Sequence, residues 1–160
     1  MTLLNLTKPK PKDLDTGFTV VQGNALDMHM FADKQFDIVY SNSVIEHVGS
    51  YANQSRFAAE VRRVGKSYWV QTPSRFFPVE PHFMFPFFQF LPGHVQRQIA
   101  LSWRYSHFKR FGVPRERILD ELSTIRLLSI REVMSLFGSE GLYREMFLGL
   151  PKSYVAFKKG

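Results

Sequence analysis

The segment FDIVYSNSVIEHV, Phe36 to Val48, constrains the fold more than any other stretch of this chain. Its first half, FDIVYSN, has the near-continuous apolar character of a strand buried on both faces, as parallel strands are. Its second half opens from small polar residues straight into a helical turn. In open α/β sheets, ligands bind outside the carboxyl ends of such strands. The residues after Tyr40 are therefore the first place to look for a site.

Neighbouring segments extend the pattern. Phe18 to Gln22, FTVVQ, is β-branched and aromatic, and Gly23 punctuates its end. Ala52 to Val64 carries Phe57, Val61 and Val64 at i, i+4 and i+7, which predicts a helix, with Gly65 placed for a left-handed cap. Lys66 to Thr72, KSYWVQT, reads as a further strand stopped by Pro73. Strands alternating with a helix imply βαβ units and a parallel sheet. Right-handed crossovers then collect Gly23–Asn24, Ser41–Asn42 and Thr72–Pro73 along one edge.

Before and after this centre the character changes. TLLNLT, Thr2 to Thr7, is a short apolar run followed by KPKPKD, an extended connector in which each proline disfavours helix at the residue before it. Phe76 to Gly93 holds seven phenylalanines and four prolines, an irregular aromatic-rich insertion with little helix. A helix over about His94–Tyr105 and a basic loop, HFKRFGVPRER, follow, and residues 118 to 128 remain unassigned. Ser129 to Glu132, SIRE, is a capping box. It begins a helix to about Ser139 with Val133, Met134 and Phe137 inward. Leu142–Leu148 and Ser153–Lys158, separated by GLPK, form an antiparallel hairpin.

At 160 residues, 44% of them hydrophobic, the chain suits a single globular domain. No apolar run approaches the roughly 18 residues of a membrane-spanning helix. The start shows no signal-peptide pattern, and the absence of cysteine excludes disulfides and thiolate metal sites. A cytoplasmic setting is expected, and no metal site is assigned. The net charge of +7 comes from 21 Lys and Arg against 14 Asp and Glu. That excess is scattered rather than gathered on one face with a recognition motif, which argues against nucleic-acid binding.

These motifs, in this order, resemble class I S-adenosylmethionine-dependent methyltransferases of the type-11 group. GNALD, Gly23 to Asp27, corresponds to that family's turn after its third strand, with Asn24 where aspartate is usual. FDIVYSNSVIEHV corresponds almost position by position to the strand before Glu-His-Val. FAAEVRRVGKSYWVQTP resembles the family's helix and tight turn into the next strand, PSRFFPVEPHFMFPF a subgroup's insertion, and PKSYVAFK the closing strand.

The resemblance implies a Rossmann-like methyltransferase sheet, mostly parallel with a C-terminal antiparallel hairpin. An aromatic-rich insertion at about 76–117 follows the third parallel strand of the core, all within one domain over 1–160. It implies S-adenosylmethionine as cofactor, contacted by Asn5, Gly23, Asn24, Ala25, Asp27, Ser41 and Asn42. Asn24 would accept from the adenine, and Asn5 stands in for the ribose-binding carboxylate. Equally, Asn24 and Asp27 are common turn residues. His47 and His82 are the candidate bases for an acceptor proton, with Glu46, Phe76 and Phe77 on the substrate side.

Besides those two asparagines the sequence departs from the family in a further respect: no G-x-G-x-G occurs in it. A sheet built without the central strand and its glycine-rich loop has two facing, unpaired edges, and exposed apolar edges must be paired or covered. Two readings follow. One is a methyltransferase acting on a small-molecule or glycan-like acceptor, its cofactor binding impaired. The other is a non-catalytic, homo-oligomeric module, joined through the displaced N-terminal strand or the phenylalanine-rich surface.

Overall fold

The computed structural model describes residues 1–7, 17–139 and 141–160. The KPKPKD connector lies outside the described residues. Strand β1 (Thr2–Asn5) pairs in parallel with β2 (Thr19–Gln22), Leu4 opposite Val21. Strand β3 (Phe36–Asn42) leads through a single 3-10 turn, Ile45–His47, to helix α1 (Tyr51–Val64) and strand β4 (Gly65–Pro73). β3 and β4 are parallel, Phe36 opposite Gly65 and Asn42 opposite Gln71.

The insertion contributes a small hairpin, β5 (Val79–Glu80) and β6 (Phe85–Pro86), then helices α2 (Gly93–Ser102), α3 (His107–Arg110) and α4 (Arg115–Thr124). Helix α5 (Ile130–Phe137) and strands β7 (Leu142–Phe147) and β8 (Leu150–Lys158) close the chain. The main sheet runs β3-β4-β8-β7, with β8 antiparallel to both neighbours. The βαβ unit, the parallel pairs and the closing hairpin make this a mixed α/β, Rossmann-like fold, as expected. β1 and β2 form a separate two-stranded sheet, so β1 and β3 present facing edges that do not pair.

Amphipathic α1 explains why the main sheet has a core. Phe57, Val61 and Val64 are at most 3% exposed and pack with Ile45, Tyr68, Val70, Val133 and Tyr154. Burial of side chains of this size contributes about 1.5–3 kcal/mol each. At the start of α1, Ser50 Oγ accepts the Asn53 amide, as an N-cap should. At its end Arg63 donates to the Met28 and Phe31 carbonyls, at 2.9 and 2.8 Å, tying the loop after β2 to the helix.

Gly65 does not adopt the expected left-handed cap. Its backbone is extended (φ −96°, ψ 136°), because the chain passes directly from helix into β4. Glycine is needed there for close approach. A Cβ would stand 2.6 Å from the Ser67 carbonyl oxygen and 2.9 Å from Val39 Cγ2.

The insertion is more ordered than its prolines suggest. Phe83, Phe88, Phe108, Ala100 and Ile118 form a second buried core. The rings of Phe83 and Phe88 stack at 4.2 Å. The expected basic loop contains α3 and the first turn of α4, the unassigned segment continues α4 to Thr124, and α2 ends at Ser102. Burial of Phe108 and Ile118 against the phenylalanines outweighs the local glycine and proline signals.

Two details near the C-terminus also differ. The hairpin turns on two residues, Leu148 (φ 49°) and Gly149 (φ 78°). Two consecutive positive φ values suit the twist of the flanking strands. In α5, Val133 and Leu136 are buried, whereas Met134 is 39% exposed.

The capping box forms as the sequence indicates: Glu132 accepts the Ser129 amide at 2.7 Å, and the Ser129 hydroxyl accepts the Glu132 amide at 3.4 Å. Burial pushes the Glu132 carboxyl up, but the Ser129 amide and hydroxyl and the Arg126 guanidinium outweigh it and hold the pKa below the usual value. A depressed carboxylate pKa stabilises the fold above the unfolded value, and that contribution is lost as pH falls through the folded one. Glu132→Gln is therefore expected to lower the midpoint of thermal unfolding near neutral pH. It should also flatten the loss of stability between about pH 5 and pH 3. Ser129→Ala should cost about 1 kcal/mol, read by urea unfolding at pH 7.

Candidate functional site

Two features meet at the carboxyl end of β3. The first is a turn that redirects the chain. Ser43 is left-handed (φ 52°), its amide donates to the Gln71 carbonyl at 3.1 Å, and its hydroxyl donates to Gln71 Oε1 at 3.0 Å. This pins the turn to β4 and drives Ile45 and Glu46 inward, both with no exposed surface. His47, the last residue of the 3-10 turn, stays half-buried.

Around Glu46 and His47 the fold gathers four further groups. Thr72, at the end of β4, donates to Glu46 Oε2 at 3.1 Å. Glu46 Oε1 is buried and has no hydrogen-bond partner. His82, from the loop between β5 and β6, places Nε2 3.1 Å from His47 Nε2, with the rings edge to face. Behind each ring stands a carboxylate: Glu80 Oε1 lies 2.6 Å from His82 Nδ1, and Glu121 Oε2, on α4, lies 3.4 Å from His47 Nδ1. Glu80 is itself fixed, since Oε2 accepts the His82 and Phe83 amides at 2.8 Å each.

Electrostatics follow burial and pairing. Burial raises the Glu46 carboxyl above its ordinary range, against a backbone hydrogen bond, the Thr72 hydroxyl and the His82 charge. Burial alone would depress His82, but the hydrogen bond and charge of Glu80 outweigh it and raise that imidazole. His47 is depressed, first by burial and then by the neighbouring His82 charge, against the pull of Glu121.

The second feature is a cleft of about 510 Å³ between the two sheets. Met1–Leu4 line one side and Phe36–Asn42 the other, with Phe57, Val61 and Val64 of α1 beneath. It follows the length of both strand edges and is mostly apolar. Ser41 Oγ, beside it, is buried without a partner.

Of the residues expected at a cofactor, Ala25, Ser41 and Asn42 line this cleft together. Gly23 stands behind it, where a Cβ would come within 2.7 Å of Met30 Cε and 2.8 Å of Leu4 Cδ1. Its amide donates to the Asn5 carbonyl at 2.8 Å, so the ends of β1 and β2 adjoin. The side chains of Asn5, Asn24 and Asp27 are engaged locally. Asn24 Oδ1 accepts the Leu26 amide at 2.9 Å, Asp27 Oδ1 faces His29 Nδ1 at 3.2 Å, and Asn5 Oδ1 accepts the Thr7 amide at 3.4 Å. These are the habits of turn residues.

His47 and His82 are brought together, as a pair of candidate bases would need. Glu46 departs from its expected place. It is fully buried, so it reaches any ligand only from within the histidine cluster. Phe76 stacks on Phe90 at 6.1 Å, and Phe77 meets Phe147 edge to face at 6.2 Å. Sequence reasoning missed Glu80 and Glu121, and placed Thr72 on the sheet edge without a role. Glu80 had a local signal, a carboxylate two residues before a histidine in PVEPH. Glu121 had none, because it lies in the segment whose periodicity was ambiguous.

Thr72 donates to Glu46 Oε2 from the end of β4. Thr72→Val, similar in shape, removes that donor from a fully buried carboxyl. The expected cost is about 1–3 kcal/mol, measured by denaturant unfolding, whereas Thr124→Val on exposed α4 should change little.

With this geometry in view, comparison with known proteins is informative. Residues 2–68 match the family model for the methyltransferase domain. An uncharacterized protein of Mycobacterium tuberculosis, Rv1509, is 39% identical over 57 residues, 36% of this chain and 20% of that protein. The match thus spans about a fifth of its curated relative. Among solved structures, a SAM-dependent methyltransferase from Methanosarcina mazei aligns with a TM-score of 0.53 at 13% identity, covering 98% of this chain and 79% of that one. A Rhodobacter sphaeroides protein described as a zinc-dependent alcohol dehydrogenase aligns with 0.61 at 12% identity, over 99% and 74%. At such identities the structural likenesses speak to the fold alone. Motif order and family match agree in what they resemble: residues 2–68 are similar to the methyltransferase domain, and the solved methyltransferase neighbour shares the fold.

Proposed function

We propose that this chain is a single methyltransferase-like domain whose family reaction moves a methyl group from S-adenosylmethionine to a small-molecule or glycan-like acceptor. We further propose that the chain with this sequence binds the cofactor poorly. The observation that carries the reading is the union of a family match over 2–68 with a strand-edge cleft lined by Ala25, Ser41 and Asn42. When bound, the cofactor supplies an electrophilic methyl on a sulfonium. Its fit to these residues is partial. Ser41 offers an unpaired buried hydroxyl. Asn5 and Asn24, in contrast, are amides whose oxygens already accept local backbone amides, and an amide lacks the charge assistance of a carboxylate.

On the acceptor side stand His47 and His82. Methyl transfer mainly needs proximity and alignment. A group that takes up or polarises a proton is needed only where the acceptor is a hydroxyl or amine. The clustered imidazoles suit that role, in the cytoplasmic setting expected for a chain without cysteine.

A specific observation favours a second reading, a non-catalytic homo-oligomeric module. Ile38 and Tyr40 on β3 are 61% and 66% exposed, and Phe76 and Phe87 in the insertion are 55% and 59% exposed. Apolar surface of that kind commonly marks an interaction site. Calorimetric titration with S-adenosylmethionine and with its demethylated product, at a protein concentration where sedimentation reports the oligomeric state, separates the readings. The impaired methyltransferase should show weak, saturable binding in the high micromolar range or above. No heat at millimolar cofactor, with a stable dimer, would leave the module reading.

A further inference from the structure

The histidine cluster is built in a way that proton transfer alone does not require. Carboxylates back both Nδ1 atoms, Glu80 at 2.6 Å and Glu121 at 3.4 Å. A carboxylate only accepts, so each Nδ1 carries a hydrogen, and a ring in its neutral form turns a lone pair outward at Nε2. The two Nε2 atoms face each other at 3.1 Å. Atoms so placed are held together by something positive between them, a proton on one ring or a metal ion. Beside them Glu46 Oε1, on a side chain with no exposed surface, has no partner. One donor atom from each of Glu46, His47 and His82 lies within 4.8 Å of the other two.

From this geometry we infer that Glu46, His47 and His82 form a divalent transition-metal site, with zinc the best-fitting ion. Ligand bonds of 2.0–2.1 Å in a tetrahedral arrangement place neighbouring donor atoms about 3.3 Å apart. The Nε2 atoms need to move by only a few tenths of an ångström to reach that spacing. The outer contacts match the pattern that orients metal-binding imidazoles, a carboxylate on each distal ring nitrogen. Thr72 holds Glu46 Oε2, and Oε1 is left without a partner. Two imidazoles with one carboxylate favour zinc and its first-row neighbours over magnesium, which prefers oxygen ligands and its own water.

Three protein ligands leave a coordination position open, and the side chains of His47 and His82 are 32% and 18% exposed. That position suits water or an oxygen donor such as an acceptor hydroxyl, whose proton a bound cation would make more acidic. The hydroxyl step rests on the methyl-transfer reading. Binding of the ion does not.

The test uses untagged, metal-stripped protein, with Zn²⁺ followed by calorimetry and elemental analysis and Co²⁺ by its visible absorption. Expected are one equivalent of Zn²⁺ bound at micromolar affinity or tighter, and a Co²⁺ band of four-coordinate intensity. His82→Ala and His47→Ala should each weaken binding about 100-fold or more. His29→Ala, a histidine remote from the cluster, should bind as the parent does. The parent measurement stands even if a variant fails to fold. The inference is overturned by no binding at 1 mM Zn²⁺, by an unchanged equivalent in both folded variants, or by occupancy with Mg²⁺ alone. None of these outcomes depends on whether S-adenosylmethionine binds.

Discussion

The parallel ladder between β3 and β4 is the interaction on which the rest of this structure depends. It fixes Asn42 opposite Gln71, and that register brings the left-handed Ser43 turn within reach of Gln71. Because the turn is held there, Ile45 and Glu46 enter the core, and Glu46 meets Thr72, the penultimate residue of β4. Glu46 then anchors by its own backbone as well, since its carbonyl accepts the Arg126 amide at 2.8 Å. Gln54 of α1 donates to the Ile45 and Arg126 carbonyls and closes the same seam. A shift of β3 by one residue would turn its side chains to the opposite faces and dismantle all of these contacts.

The insertion turns that anchored edge into a site. Its phenylalanines bury against α2, α3 and α4 as a core separate from that of the sheet. This second core carries Glu80 on β5, His82 on the loop after it, and Glu121 on α4, up to His47. Aromatic packing that includes Phe83, next to His82, thereby sets the spacing between two imidazoles. The cleft between β1 and β3 is a different kind of feature. It is long, apolar and bounded by strand edges, and its polar contributions come from single residues at one end.

Much of this was legible in the sequence where local and long-range signals agree. The βαβ unit was, because Phe57, Val61 and Val64 repeat at helical spacing between two apolar strands. The capping box was, because Ser129 and Glu132 satisfy one another without help from the rest of the fold. Gly65 was misjudged because glycine serves close approach as well as left-handed caps, and only the neighbours Ser67 and Val39 distinguish them. The helices at 107–110 and 115–124 were obscured because their stability comes from burying Phe108 and Ile118 against rings far away in sequence. The site was half legible for the same reason. Motif order named Glu46, His47 and His82, but the carboxylates behind the rings are joined to them only by tertiary packing.

The central claim is that β1 and β3 flank a cleft rather than pairing across it, so the methyltransferase-like sheet has an open seam beside a complete β3-β4-β8 ladder. Residue-resolved amide hydrogen exchange on a monomeric sample tests this most directly. The account predicts continuous protection along Tyr68–Gln71 of β4, which has partners on both sides, and alternating protection along β3, whose amides face β4 and the cleft in turn. Uniform protection through Phe36–Asn42 and Thr2–Asn5 in the monomer would contradict it.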